Sequence, residues 1–172
     1  YRRRPWARRS ALRWKWPWAA SSARRRAVRR RPPRCSRRRP RGGDEIHLIK
    51  RGKNYGWPII TYGMDYNGAY VSPFTERPGL AQPIHVWDPS IAPSGLIVYE
   101  GAMFPEWHGN LFVGALVDQE VRRLEMDGTT VTNEIVAFDE INARIRDIRE
   151  APDGSIYVLT DGNPGTVLRV TR

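Results

Sequence analysis

The sequence predicts an all-β repeat domain over residues 42–172, preceded by an arginine-rich segment at 1–41 that lacks the material for a core. Three observations predict this. The charge divides sharply near residue 42. Beyond that point short apolar runs alternate with turn signals at close intervals. A turn-and-strand unit then recurs about 45 residues apart, the spacing of four-stranded propeller blades.

Residues 1–41 hold 17 Arg, one Lys (Lys15) and no acidic residue, a charge of +18. Residues 42–172 hold 11 basic and 18 acidic side chains, a charge of −7. The whole-chain value of +11 suggests a partner such as nucleic acid or an anionic membrane, but it describes neither part. The single cysteine, Cys35, excludes a disulfide framework and suggests no zinc site. No apolar run is long enough to cross a bilayer, and no secretory signal is visible in the first 30 residues.

The first segment uses mainly Arg, Pro, Ala, Ser and Trp, with Leu12 and Val28 nearly its only aliphatics beyond alanine. Such a composition cannot offset the entropy of ordering, so disorder is expected. Three readings compete. Clusters such as Arg24-Arg25-Arg26, with Trp14 and Trp16 nearby, suit phosphates and unpaired bases. Trp interleaved with Arg also suits an anionic lipid surface. The third is a frame error, because GC-rich DNA translated out of frame yields these residues in excess. The abrupt change at Arg41-Gly42, without a linker, favours the third, and a nucleic-acid partner is not expected.

In the second segment strands are predicted over 94–100, 111–116, 121–126, 131–138, 145–149, 156–160 and 167–171. Asp127-Gly128 and Pro152-Asp153-Gly154 mark turns between them. No window holds a helical period. The repeat runs from Gly109–Gly114 into Val121–Leu124, and again from Asp153–Val158 into Val167–Val170. A single β-sandwich is the plainer alternative, but turn and strand recur in the same order. A propeller closes with at least about four blades, and these residues supply about three.

Several clusters could carry chemistry. Arg144 and Arg146 flank Ile145 at a strand start, so alternation puts both guanidiniums on one face. That arrangement is tolerated readily around an anion such as a carboxylate. Pairing with Asp139, Glu140, Asp147 or Glu150 is the stronger explanation from these residues alone. Asp44-Glu45 after Gly42-Gly43 could ligate a hard cation such as calcium, though a surface turn is the commoner explanation. Asn54–Pro58, with Tyr55 and Trp57, reads as a packed loop, with Tyr62 and Tyr66 candidates for the same wall. The two-proline loop Trp87–Gly95 suits a pocket rim. His47, His85 and His108 show no metal-ligand spacing and read as structural or exposed.

Taken in order, Pro40–Ile46, Gly52–Pro58, Pro89–Gly95, Gly109–Leu116, Arg144–Asp147 and Pro152–Asp161 resemble the glucose/sorbosone dehydrogenase family, soluble quinoproteins that oxidise aldose sugars. The resemblance runs from about Pro40 to the C-terminus. It implies a six-bladed β-propeller of which this chain is the C-terminal part, about three blades. It implies two cofactors, pyrroloquinoline quinone (PQQ) and Ca2+. Glu45 and Tyr55 match calcium-binding positions, Tyr55 through its carbonyl. Arg144 and Arg146 match the arginines that hold the quinone, and Tyr66 and Ala115 match positions at its pocket.

The family's catalytic base is a histidine upstream of the region matched here, so no catalytic residue is expected in this chain. None of the three histidines of residues 42–172 matches it. Where relatives of the glucose enzyme carry a cofactor-contacting lysine, this chain has Val117. The resemblance ends where the composition changes, which fits a frame error. The functional expectation is a portion of a PQQ-dependent aldose dehydrogenase, inactive alone, with an external electron acceptor. A periplasmic or secreted location is implied by the resemblance only. The alternatives are a non-enzymatic propeller-like binding protein and a nucleic-acid binder acting through the basic arm.

Overall fold

Each predicted apolar run between turn signals becomes a strand, and the strands gather into three antiparallel sheets. The computed structural model describes residues 11–15, 42–65 and 67–172. The first sheet has the order β1 (Ala11–Lys15), β2 (Asp44–Ile49), β3 (His85–Trp87). The second is a four-stranded meander of β4 (Pro93–Val98), β5 (Leu111–Ala115), β6 (Val121–Asp127) and β7 (Thr130–Ala137). The third is built from β8 (Ile145–Glu150), β9 (Ile156–Thr160) and β10 (Val167–Val170). Among the described residues there is no α-helix, only the 3-10 turns Pro105–Trp107 and Asp139–Ile141. The all-β expectation holds there, with strand ends within two residues of those predicted.

Three strands went unpredicted. β2 begins with two carboxylates and β3 has three residues, so neither presents an alternating run. β1 lies in the segment expected to be disordered. Its five residues pair with β2 from Ala11↔Ile49 to Lys15↔Glu45. Strand pairing uses backbone groups that every non-proline residue carries, so side-chain composition does not forbid it at a free edge. The arginine clusters and the remaining tryptophans of 1–41 lie outside the described residues.

The second sheet is covered on both faces, and β5 shows why. Its residues are all buried, so it reads as a continuous apolar run rather than an alternating one. Leu111, Val113 and Ala115 pack with Ile46, Trp87, Ile91 and Leu124 toward the first sheet. Phe112 points the other way, into Tyr99, Phe104, Val121, Ile145, Ile148, Ile156 and Val158 at the third. Polar bonds fix the seams. The Tyr99 hydroxyl donates to Gly154 O at 2.7 Å and accepts the Phe104 N–H at 3.1 Å.

Glu134 on β7 clamps the first sheet to the second. Its carboxylate accepts His85 Nε2 at 3.0 Å and Trp87 Nε1 at 2.8 Å, and meets Arg122 Nη1 at 3.3 Å. Arg122 also serves Asp118 and Glu120. The His85 bond, and after it the Trp87 bond and the charges of His85 and Arg122, outweigh desolvation and hold the Glu134 carboxyl below its usual 4.5. A depressed carboxylate stabilises the fold above its unfolded-state pKa, and that contribution is lost as pH falls through the folded-state value. Glu134→Gln should therefore cost on the order of 1 kcal/mol at neutral pH. The deficit should close in acid. Thermal melts of both proteins at neutral and acid pH would show this; a pH-independent gap would assign the cost to shape instead.

Candidate functional site

Glu45, Arg144 and Arg146 sit at strand starts joined by one loop, whereas Ala115 ends β5 and Tyr55 lies beyond the end of β2. β2, β4 and β8 begin at Asp44, Pro93 and Ile145. The segment Asp88–Ser94 runs between them. Asp44 Oδ2 accepts Ser90 Oγ at 2.6 Å and the Ala92 N–H at 3.1 Å. Ala92 O accepts the Leu116 N–H at 3.1 Å, just beyond the end of β5. Ser94 Oγ lies 2.6 Å from Ile145 O and 3.1 Å from Gly114 O, donating to one at a time. Ala92 takes a left-handed φ of 52°, a conformation that disfavours a residue with a Cβ and is held here by bonds on both sides. The rim predicted for this loop is thus a strained connector between the two halves of the site.

The first half is buried and acidic. Asp44 and Glu45 are inside the fold at the start of β2, not on a surface turn. Burial raises the Asp44 carboxyl pKa against the opposing hydrogen bonds from Ser90 and Ala92. Glu45 points to the other face of the strand. Its Oε2 is 2.7 Å from His47 Nε2, and its Oε1 accepts the Tyr62 N–H at 3.3 Å. Tyr55 packs edge-on against the His47 ring, centroids 5.0 Å apart. Its hydroxyl accepts the Lys50 N–H at 2.5 Å and so caps the end of β2. Sequence reasoning left His47 as structural, yet it lies between the two predicted calcium positions. The signal available was its spacing: two residues from Glu45 on a strand is the same face.

Among the described residues no group of three or more His, Cys, Asp or Glu side chains is gathered for a metal. Calcium does not require one, since carbonyls supply much of its shell. Glu45 is a buried carboxylate whose one ion-pair partner among the described residues is an imidazole. Buried charges are paired or bind cations, so its chemistry fits a calcium ligand.

The second half is open and basic. Arg144 and Arg146 are about half exposed, 54 % and 49 %. Both reach one oxygen, Asp161 Oδ2, from Arg144 Nε at 3.2 Å and Arg146 Nη2 at 2.7 Å. The Asp161 N–H also donates to Arg144 O. A carboxylate does lie between the two guanidiniums, but it is Asp161 and none of the four acids expected from sequence proximity. Asp147 is taken by Arg149 instead. Asp161 comes from the end of β9, which pairs with β8, so strand register rather than sequence distance decides the partner.

Ala115 is fully buried, its methyl in the core between the first and second sheets. Tyr66 lies outside the described residues. Tyr62 is partly exposed, its hydroxyl 3.1 Å from Gln82 Oε1. His85 belongs to the Glu134 clamp and His108 is exposed. A cleft of about 740 Å³ opens beside the pair, floored by Phe138, Ile141 and Leu168; it is lined by their partner Asp161 but by none of the predicted site residues. No helix among the described residues is long and apolar enough to cross a membrane.

Three antiparallel sheets without an α-helix among the described residues, with charged site residues at the starts of β2 and β8, make this an all-β protein. The family model for glucose/sorbosone dehydrogenases matches residues 38–169, and the chain belongs to that family. It is 42 % identical over 134 residues to aldose sugar dehydrogenase YliI of Escherichia coli, covering 77 % of this chain and 36 % of that protein. It is 27 % identical over 177 residues to quinoprotein glucose dehydrogenase B of Acinetobacter calcoaceticus, covering 71 % and 37 %. A crystal structure of glucose dehydrogenase superposes with a TM-score of 0.73 at 41 % identity, covering 77 % of this chain and 39 % of that one. The chain thus spans just over a third of the length of these relatives.

Proposed function

We propose that this chain carries the cofactor-anchoring part of a PQQ-dependent dehydrogenase acting on aldose sugars, with an external electron acceptor completing the cycle. The observation that carries it is the convergence of Arg144 and Arg146 on one carboxylate oxygen while both remain about half exposed. The bonds to Asp161 engage one nitrogen of each guanidinium. A guanidinium has five N–H donors in a planar fork, so the pair keeps the capacity to grip further carboxylates. PQQ is a tricarboxylate, and the donor set fits it. The relative from Acinetobacter is named a quinoprotein, and YliI an aldose sugar dehydrogenase.

In this reading Arg144 and Arg146 bind and orient the quinone's carboxylates. Ala115, fully buried with its N–H bonded to Glu120 O, supports the pocket from behind, and Tyr66 is assigned to it by the resemblance alone. Glu45 and the Tyr55 carbonyl hold calcium. When bound, PQQ accepts the hydride lost by the sugar. The proton of the sugar hydroxyl needs a base; in the family that base is a histidine upstream of the region matched here, and none of His47, His85 and His108 corresponds to it. The 172-residue chain is therefore expected to bind without turning over, and the three sheets are read as three blades of a six-bladed ring.

Titrating PQQ into the chain in calcium-containing buffer, followed by tryptophan fluorescence, tests this. The Arg144→Ala, Arg146→Ala double variant should weaken binding by roughly 100-fold or more, since each charge-assisted pair is worth about 1.5–3 kcal/mol. Equal affinity in the double variant would overturn the assignment. The Asp161 contact also supports a plainer reading, a propeller-like protein whose arginines are satisfied internally, and that reading predicts no PQQ binding at all.

A further inference from the structure

We infer that His47 is the positioning residue of the cation site, holding the Glu45 carboxylate in place for an oxygen-seeking divalent ion. The inference rests on the reading of Glu45 as a calcium ligand and adds a residue that neither the sequence motifs nor the comparisons assign. His47 is 1 % exposed and shares a face of β2 with Glu45. Its Nε2 sits 2.7 Å from Glu45 Oε2, and because an ionised carboxylate only accepts, the hydrogen is on Nε2. The other carboxylate oxygen has a longer and weaker hold, the Tyr62 N–H at 3.3 Å. The imidazole is therefore the principal group fixing this carboxylate.

Packing locks the imidazole in turn. Tyr55 meets it edge-on at 77°, and the Tyr55 hydroxyl is pinned to the backbone at Lys50. The buried Glu45 and His47 and the half-buried Tyr55 thus form one packed unit that links the two predicted calcium positions. His47 Nδ1 has no partner among the described residues. Leaving a buried ring nitrogen unsatisfied carries a free-energy cost. A purely structural role would be filled more cheaply by an apolar ring. Keeping the imidazole makes sense if its one hydrogen bond has a use, and outer partners of metal-ligating carboxylates have that use.

Calcium titration of the 172-residue chain by isothermal calorimetry tests this, alongside calcium-free thermal melts. His47→Phe keeps a ring against Tyr55 and removes the donor, and it should raise the calcium Kd by roughly 10- to 100-fold. His47→Gln places an amide N–H near the Nε2 position and should stay within about 3-fold of the parent. If His47→Phe does not fold without calcium, His47→Asn, polar but too short to reach Glu45, carries the comparison. Unchanged affinity in the donor-less variants, with Glu45→Gln losing calcium, would overturn the role of His47 and leave the Glu45 assignment standing. Calcium uptake by Glu45→Gln equal to that of the parent, or none by the parent, would remove the Glu45 assignment and this inference with it.

Discussion

Gly43→Ala is expected to destabilise the domain by about 3 kcal/mol or more, enough to leave a marginal fold mostly unfolded. Gly43 has φ +88°, and a Cβ built there would lie 2.1 Å from Gly63 Cα and 2.2 Å from Gly63 N. Both obstacles are backbone, so no side-chain rotation relieves the clash. The residue cannot retreat either, because its N–H donates to Trp87 O at 2.9 Å and β2 begins at the next position. Moving Gly43 would move Asp44 and Glu45, the buried acids of the candidate site. Gly52 is the control. It also has positive φ, +77°, but a Cβ there meets nothing within 4 Å. Gly52→Ala should cost only the conformational penalty, about 1–2 kcal/mol. Urea denaturation of both variants separates close approach from backbone preference. A Gly43→Ala loss no larger than that of Gly52→Ala would show that the loop around Gly63 yields and that the contact is incidental.

What the sequence showed of the fold follows from where alternation survives burial. β8 and β9 keep one residue in two or three exposed and β6 buries only Val121 and Leu124 fully, so their runs and turns are legible. β5 is buried on both faces and was still found, because Leu111–Leu116 is apolar throughout. β2 is largely buried on both faces too, but half of its residues are polar: Asp44, Glu45 and His47. A buried strand of that kind violates the hydrophobic pattern, and the violation is itself the signal of a site. For the site, the pairing of Arg144 with Arg146 was legible because two-residue spacing on a strand is a geometric fact. Their partner Asp161 was not, because it arrives through the β8–β9 pairing, which spacing along the chain does not reveal. Glu45 and His47 were equally close in sequence, and their contact was open to the same spacing rule.

Phe112→Ala is expected to cost about 3–5 kcal/mol, the range for deleting a fully buried aromatic side chain. Phe112 has no exposed surface and stands at the centre of the seam between the second and third sheets. Its ring meets Trp107 at 5.4 Å, Tyr99 at 6.1 Å and Phe138 at 6.2 Å, so truncation leaves a cavity bounded by large rings fixed elsewhere. Tyr99 is tied to Gly154, and Trp107 is stacked on Phe104 at 4.1 Å, so neither can collapse freely into the gap. The damage should be one-sided. β5 sends Leu111 and Val113 to the opposite seam, where Ile46 and Trp87 lie, and those contacts do not involve the lost ring. Hydrogen exchange would resolve this. Amides of Ile148 and Val158 on the third sheet should lose protection in the variant, while Ile46 on the first retains more of it. Because Ser94 joins the second sheet to Ile145 across the weakened seam, the Arg144–Arg146 pair should loosen with the third sheet. The acidic half of the site, carried by the first sheet, should not. A loss under about 1 kcal/mol, or protection lost evenly across all three sheets, would mean that the seams do not act as separable units.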